Sequence, residues 1–207
     1  MKTRNFLFTL AILLTASTLK AQNSADAIVR TFVDQLKNHK NLELVFSYQF
    51  SPDGQKVGET QKGHAWLQGE SYRVDLPEQQ SLSDGKSIWT YFIEEEEVMV
   101  SSATEGEDNT PLNLLTSLDK NYAAAIAKMD NDGNCTMELA NPKGVYKRIT
   151  LNINTKTTEI KNADIYVEDG SKIALSFEEM KFDQKLDDKF FTFDEKAHPN
   201  VDVIDMR

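Results

Sequence analysis

Several things are scarce in this sequence, and each scarcity excludes something. There is one cysteine, Cys135, so the chain can form no internal disulfide and must be held together by a buried core. No histidine lies beside Cys135 to lower its pKa, so it reads as a structural position in a strand. The three histidines, His39, His64 and His198, are scattered. They make no HExxH motif and no Ser/His/Asp grouping, and neither GxSxG nor a Gly-rich phosphate loop is present. No catalytic residue, metal or cofactor is therefore expected. Basic residues are few: 23 Lys and Arg stand against 33 Asp and Glu, a formal charge of −10, with no basic run interleaved with aromatics. Such a surface repels phosphate backbones, which argues against nucleic acid as a partner.

Long apolar runs are missing too. The sustained one, Phe6 to Ala16, is too short to span a bilayer and follows Lys2 and Arg4, the arrangement of a secretory signal peptide. The expected cleavage follows Ala21, with Leu19 large for its place three residues before the cut. Residue 22 is Gln, not Cys, so no bacterial lipid anchor is expected there. Loss of residues 1–21 removes three bases and no acid, moving the formal charge from −10 to −13. The expected product is a soluble protein, residues 22–207, in one domain.

What is present is mostly period-two alternation. Ile28, Val29, Phe32, Val33 and Leu36 first make a helical stripe over residues 24–37, with Ser24 as N-cap. Then Leu44, Phe46, Tyr48 and Phe50 alternate with polar partners, and Ser51-Pro52-Asp53-Gly54 turns the chain into a strand through Leu67. Tyr72, Val74 and Leu76 alternate up to Pro77. Four glutamates, Glu94 to Glu97, sit between Ile93 and Val98. Neighbours on a strand or turn point in different directions, so these carboxylates read as a solvated hairpin tip rather than a metal site. Thr110-Pro111 opens a second, short helix carrying Leu112, Leu114, Leu115 and Leu118. Residues 122–129 are read as a strand because the DNDG that follows favours a hairpin. A calcium loop there fails: with Gly133 sixth, Lys128 would be first and Leu139 twelfth, where Asp and Glu are required. The rest is a meander through Ile149, Leu151 and Ile153, then Ile160, Ile165 and Val167, then Ile173, Leu175 and Phe177, with a last short strand at Phe191 and Phe193.

The densest local signal is LSDGKSIWTYF, residues 82–92. Asp84-Gly85 marks a hairpin turn, and on the strand after it Trp89, Tyr91 and Ile93 share one face. Aromatics on one strand face build either a core or the wall of an apolar cavity. Periodicity alone favours the plainer core.

The chain resembles the LolA family of periplasmic outer-membrane lipoprotein carriers. The resemblance rests on the signal peptide, the N-terminal helix, GHAWL at residues 63–67, LSDGKSIWTY at 82–91, Asn109-Thr110-Pro111 with Leu112 to Leu115, and the FTFDEKAHPNVDVID ending. It implies an α+β fold: one curved antiparallel sheet of about eleven strands, an unclosed half β-barrel with helices as an inner lid over a hydrophobic cavity. The implied function is carriage of lipoprotein acyl chains from an inner-membrane ABC transporter to an outer-membrane acceptor, or to the outer membrane itself, by a periplasmic monomer that is not an enzyme. The cavity wall it implies comprises Phe46, Tyr48, Trp66, Tyr72, Val74, Leu76, Trp89, Tyr91, Ile93, Leu112 and Leu115. The family commonly has an Arg-Pro pair after the Trp66 strand whose Arg helps hold the lid. The nearest positions here are Gly69 and Glu70, which leaves Arg73 as the candidate lid contact. A neighbouring alternative on the same fold is a lipid-sensing or envelope-stress regulatory module. Three acyl chains of about fifteen methylenes would bury on the order of 35 kcal/mol at ~0.8 kcal/mol each. That exceeds any noncovalent affinity, so a carrier must shield only part of the load and release it directly into a partner.

Overall fold

In the computed structural model, residues 24–54, 56–103 and 111–207 are described, with the backbone alone at 111–113. The expected signal peptide with its cut after Ala21, the Thr110 cap and the Leu112 side chain lie outside that description. Helix α1 spans residues 24–38 and buries Ala25, Val29, Phe32 and Val33, one stripe at helical spacing. Among the described residues no helix is long and apolar enough to cross a membrane.

Twelve strands follow: β1 Leu42–Ser51, β2 Gln61–Gln68, β3 Ser71–Asp75, β4 Gln79–Ser83, β5 Ser87–Phe92, β6 Glu97–Ser102, β7 Ala123–Met129, β8 Asn134–Ala140, β9 Tyr146–Asn154, β10 Ile160–Val167, β11 Lys172–Phe182 and β12 Asp202–Asp205. Two short helices, α2 Pro111–Thr116 and α3 Leu118–Asn121, separate β6 from β7. All twelve strands form one sheet in the order β12-β6-β5-β4-β3-β2-β1-β11-β10-β9-β8-β7. Every pairing is antiparallel except β12 on β6, and the end strands β7 and β12 do not meet, so the sheet is an unclosed half-barrel. The strand expected at Phe191 and Phe193 is instead a 3-10 turn, Asp188–Phe191, whose entry is capped by Asp187 accepting from the Lys189 N–H. The last strand comes later, at β12.

Local chemistry explains the hairpins. Gly85 takes φ +83°, where a side chain would be strained, and Asp84 Oδ1 accepts from the N–H groups of Lys86 at 2.9 Å and Ser87 at 2.8 Å. Together they set the β4–β5 register, with Leu82 opposite Trp89. Asp130 does the same for β7–β8, accepting from the N–H groups of Asp132 and Asn134.

The inner face of the sheet holds the core. Helix α1 and Leu118 pack on Met137, Leu139, Leu151 and Ile165 of β8–β10, and a second cluster joins Leu42, Leu44 and Phe46 to Ala65, Leu67 and Tyr72. Leu175, Phe177 and Met180 of β11 bridge the two. The register runs Leu44, Ala65, Val74 in one row and Glu43, Trp66, Arg73, Leu82, Trp89, Val100 in the next, on the opposite face. At β4–β6 that outer face is itself dry: Leu82, Val98 and Val100 are buried. The segment after β11 lies over the outer face, with the Phe190 ring 5.0 Å from Trp66 and the Phe193 ring 5.2 Å from Tyr91.

Candidate functional site

Between the helices and the inner face lies a partly open cavity of about 370 Å³. That is within the roughly 300–1,000 Å³ range of small-molecule sites. Its wall is made by alternate residues of β1 (Leu44, Phe46, Tyr48, Phe50), Ala65 of β2, Val74 and Leu76, the helix side chains Leu114, Leu115 and Leu118, and the inward residues of β9–β11 from Tyr146 and Ile149 to Leu175 and Phe177. Each strand contributes every second residue, so a pleated sheet with one apolar face builds such a wall without special residues.

The lining carries no charge. Its two phenols stay neutral: burial pushes the Tyr48 hydroxyl above its ordinary pKa, with the negative Glu78 adding to the rise, and burial alone raises that of Tyr146. The Tyr48 hydroxyl and Gln61 Oε1 are hydrogen-bonded at the edge of this wall, the phenol donating. Burial likewise pushes the Cys135 thiol up, away from thiolate chemistry. Among the described residues no group of three or more His, Cys, Asp or Glu is placed to hold a metal ion. His39 stacks on Phe182, His64 on Trp66 and His198 on Phe193, in three separate parts of the molecule.

Of the residues named from the sequence, the structure brings Phe46, Tyr48, Val74, Leu76 and Leu115 together on this wall. Tyr72 faces the same way but is 5% exposed and packed into the adjoining core. Trp66, Trp89 and Tyr91 lie on the outer face, and Ile93 begins the turn after β5. A strand's side-chain period is two, so choosing the wrong parity moves a whole set to the other side. Arg73 is also on the outer face. Its guanidinium pairs with Asp75 at 2.9 Å and lies 4.9 Å over the Phe190 ring and 5.9 Å over Trp66, so it holds the C-terminal segment rather than a helical lid. The lining residues not named beforehand, Leu151, Ile165 and Leu175 among them, belong to alternations the sequence shows plainly. Nothing local marks those alternations as cavity rather than core.

A second crevice of about 200 Å³ opens at the C-terminal end of helix α1, lined by Leu36, Lys37, His39, Lys40 and Asn41 with Leu67 and Leu115. Asp183 accepts from two of these residues, from His39 Nδ1 at 2.8 Å and from the Lys40 N–H at 2.8 Å. These bonds hold the Asp183 carboxyl below the usual carboxylate range.

Comparison with known proteins gives the same architecture. The family model described as "Outer membrane lipoprotein carrier protein LolA" matches residues 37–194. An uncharacterized conserved protein from Thermus thermophilus has a similar structure, at 10% identity and TM-score 0.53, over 85% of this chain and 98% of that one. A putative outer membrane lipoprotein-sorting protein domain from Vibrio parahaemolyticus is 9% identical with TM-score 0.49, over 86% and 99% of the two chains. A LolA superfamily protein, NE2245 from Nitrosomonas europaea, is 13% identical with TM-score 0.43, over 82% and 97%. No curated protein sequence matches significantly.

Proposed function

The chain belongs to the outer membrane lipoprotein carrier protein LolA family, and we propose that it is a periplasmic carrier, without catalytic activity, that shelters lipoprotein acyl chains on their way to the outer membrane. The observation that carries this reading is the cavity wall of aliphatic and aromatic side chains, uncharged throughout. At the ~30 Å³ share of a water molecule in the liquid per methylene, a volume of about 370 Å³ holds about a dozen methylenes, part of a lipoprotein's acyl load rather than all of it. About a dozen buried methylenes at ~0.8 kcal/mol contribute on the order of 10 kcal/mol, within reach of ordinary noncovalent affinity. A load held this way can still be handed on. In this reading an inner-membrane transporter supplies the cargo, and an acceptor at the outer membrane takes it without the chains crossing water.

The test is recovery of the protein from the periplasm with a photocrosslinking residue at Leu151, on the cavity wall, followed by mass spectrometry. Lipoprotein crosslinked at Leu151 supports the reading, and protein that is always recovered without lipoprotein overturns it. A lipid-sensing or envelope-stress module would instead crosslink to lipid, and its deletion would leave lipoprotein sorting intact.

A further inference from the structure

The cavity accounts for hydrocarbon, but acyl chains in a cell arrive on a polar head. Beyond Val74 and Leu76 the inner face changes character. The inward positions of β4 and β5 are Gln79, Ser81, Ser83, Ile88, Thr90 and Phe92, so polar side chains are now interleaved with apolar ones. Gln79, Ser81 and Thr90 are the polar ones beside Val74 and Leu76, with Ser81 flanked by Val74 on one side and Thr90 on the other. Side chains directly opposite on paired strands lie about 5 Å apart, so the two hydroxyls are neighbours. All three residues are partly buried, and among the described residues none of their side chains has a hydrogen-bond partner. These open donors and acceptors lie on the same face as Val74, next to the residues that line the cavity.

Among the described residues the same wall has no cation. At the inward positions of β1–β6 the one formal charge is Glu97, at the rim. Glu78, in the β3–β4 turn, is close enough for its charge to act on the Tyr48 phenol. Lys37 and Lys40 line the separate crevice at the C-terminal end of helix α1, where the helix's negative pole and Asp183 face them. An anionic head beside Ser81 would meet negative charge with no cation among the described residues of this wall to pair it.

Resting on the acyl-carrier reading, we propose that Gln79, Ser81 and Thr90 form a head-group subsite for the uncharged ester and amide groups of a diacylglyceryl-modified peptide, and that the cavity thereby rejects phospholipids with the same chains. Hydroxyl and carboxamide donors meet the ester and peptide carbonyls, and the Gln79 carbonyl accepts from a peptide N–H.

The test uses the full protein and N-phenyl-1-naphthylamine, an uncharged apolar probe, displaced either by a dipalmitoylglyceryl-cysteinyl peptide or by dipalmitoyl phosphatidic acid. The protein should prefer the lipopeptide by about tenfold or more. The Ser81→Ala, Thr90→Val double variant should lose about tenfold for the lipopeptide and keep its affinity for the probe. Thr90→Lys should bind phosphatidic acid more tightly than the parent, a gain that misfolding cannot imitate. Equal affinity of the parent for both ligands, an unchanged lipopeptide affinity in the double variant, or no gain in Thr90→Lys overturns the subsite while leaving the carrier reading in place. Failure of the parent to bind probe and ligands alike overturns both.

Discussion

Gly63 faces Phe46 across the β1–β2 ladder so closely that a Cβ on Gly63 would stand 2.4 Å from the Phe46 ring and 2.9 Å from Leu76 Cδ2. The absent side chain is what lets Phe46 lie against the sheet and leaves room in the cavity. Gly63→Ala should therefore force the ring off its rotamer and cost about 1–3 kcal/mol, read as a lowered urea midpoint, and it should weaken binding of an apolar probe. Full stability with unchanged probe binding would show that the ring moves freely.

The inner and outer faces of the sheet make opposite predictions for aromatic and small residues. Ala163→Phe fills the cavity from its wall and should reduce apolar-probe affinity tenfold or more, at about 1–3 kcal/mol of stability. Trp89→Ala, on the outer face and partly buried, should leave probe affinity within about twofold while lowering stability by a comparable ~1–3 kcal/mol. Titration of the probe into both variants decides the assignment of faces.

Arg73 lies over both Phe190 and Trp66, joining β3 to the segment that covers the outer face. Arg73→Ala should speed amide exchange at residues 188–193, by the ~0.5–1 kcal/mol of an exposed cation–π contact or somewhat more, without altering ligand binding. Arg73→Lys should not restore protection, because an ammonium has no planar face to lay on a ring.

The depressed Asp183 pKa has a definite sign. Its carboxylate is favoured in the folded state first by the His39 hydrogen bond and then by the Lys40 N–H. The stabilisation is complete above the ordinary carboxylate pKa of about 3.9 and is lost as pH falls through the lower folded value. Asp183→Asn removes it. The difference in urea midpoint between parent and variant should shrink as the solution is made more acidic than about pH 4.

Much of the fold can be read in the sequence because the alternations at Leu44 to Phe50, Ile149 to Ile153 and Ile173 to Phe177 have one apolar and one polar face. Those strands have a single possible orientation, and Phe46 and Tyr48 follow from it, as Val74 and Leu76 follow from the alternation with Arg73 and Asp75. β5 is different. Ile88 and Phe92 point inward and Trp89 and Tyr91 outward, all of them hydrophobic or aromatic, because the C-terminal segment covers the outer face. Nothing local distinguishes the two sides, and only the distant residues Phe190 and Phe193 settle which aromatics meet the cavity. The Phe191–Phe193 pair reads as a strand for the same reason: its apolar spacing serves a 3-10 turn packed on the sheet's outer side, with Phe191 1% exposed. β12 is invisible because its four residues are all exposed and offer no alternation in burial.

The seam between β1 and β11 also dictates when the cavity can come into being. Ser51 pairs with Lys172, 121 positions later, and this one contact line joins the β2–β6 and β7–β11 halves of the interior wall. Closing so long a loop is slow, and the entropy is lost before any contact is gained. A chain emerging from its N-terminus can assemble β1–β6 early, yet Leu44, Phe46 and Tyr48 lack their β11 neighbours Met180, Phe177 and Leu175 until the last fifth of the sequence arrives. The segment that follows β11 then seals the opposite face. Completion of the cavity is thus a late event, and a chain truncated before β11 lacks the Ile173, Leu175 and Phe177 part of its wall.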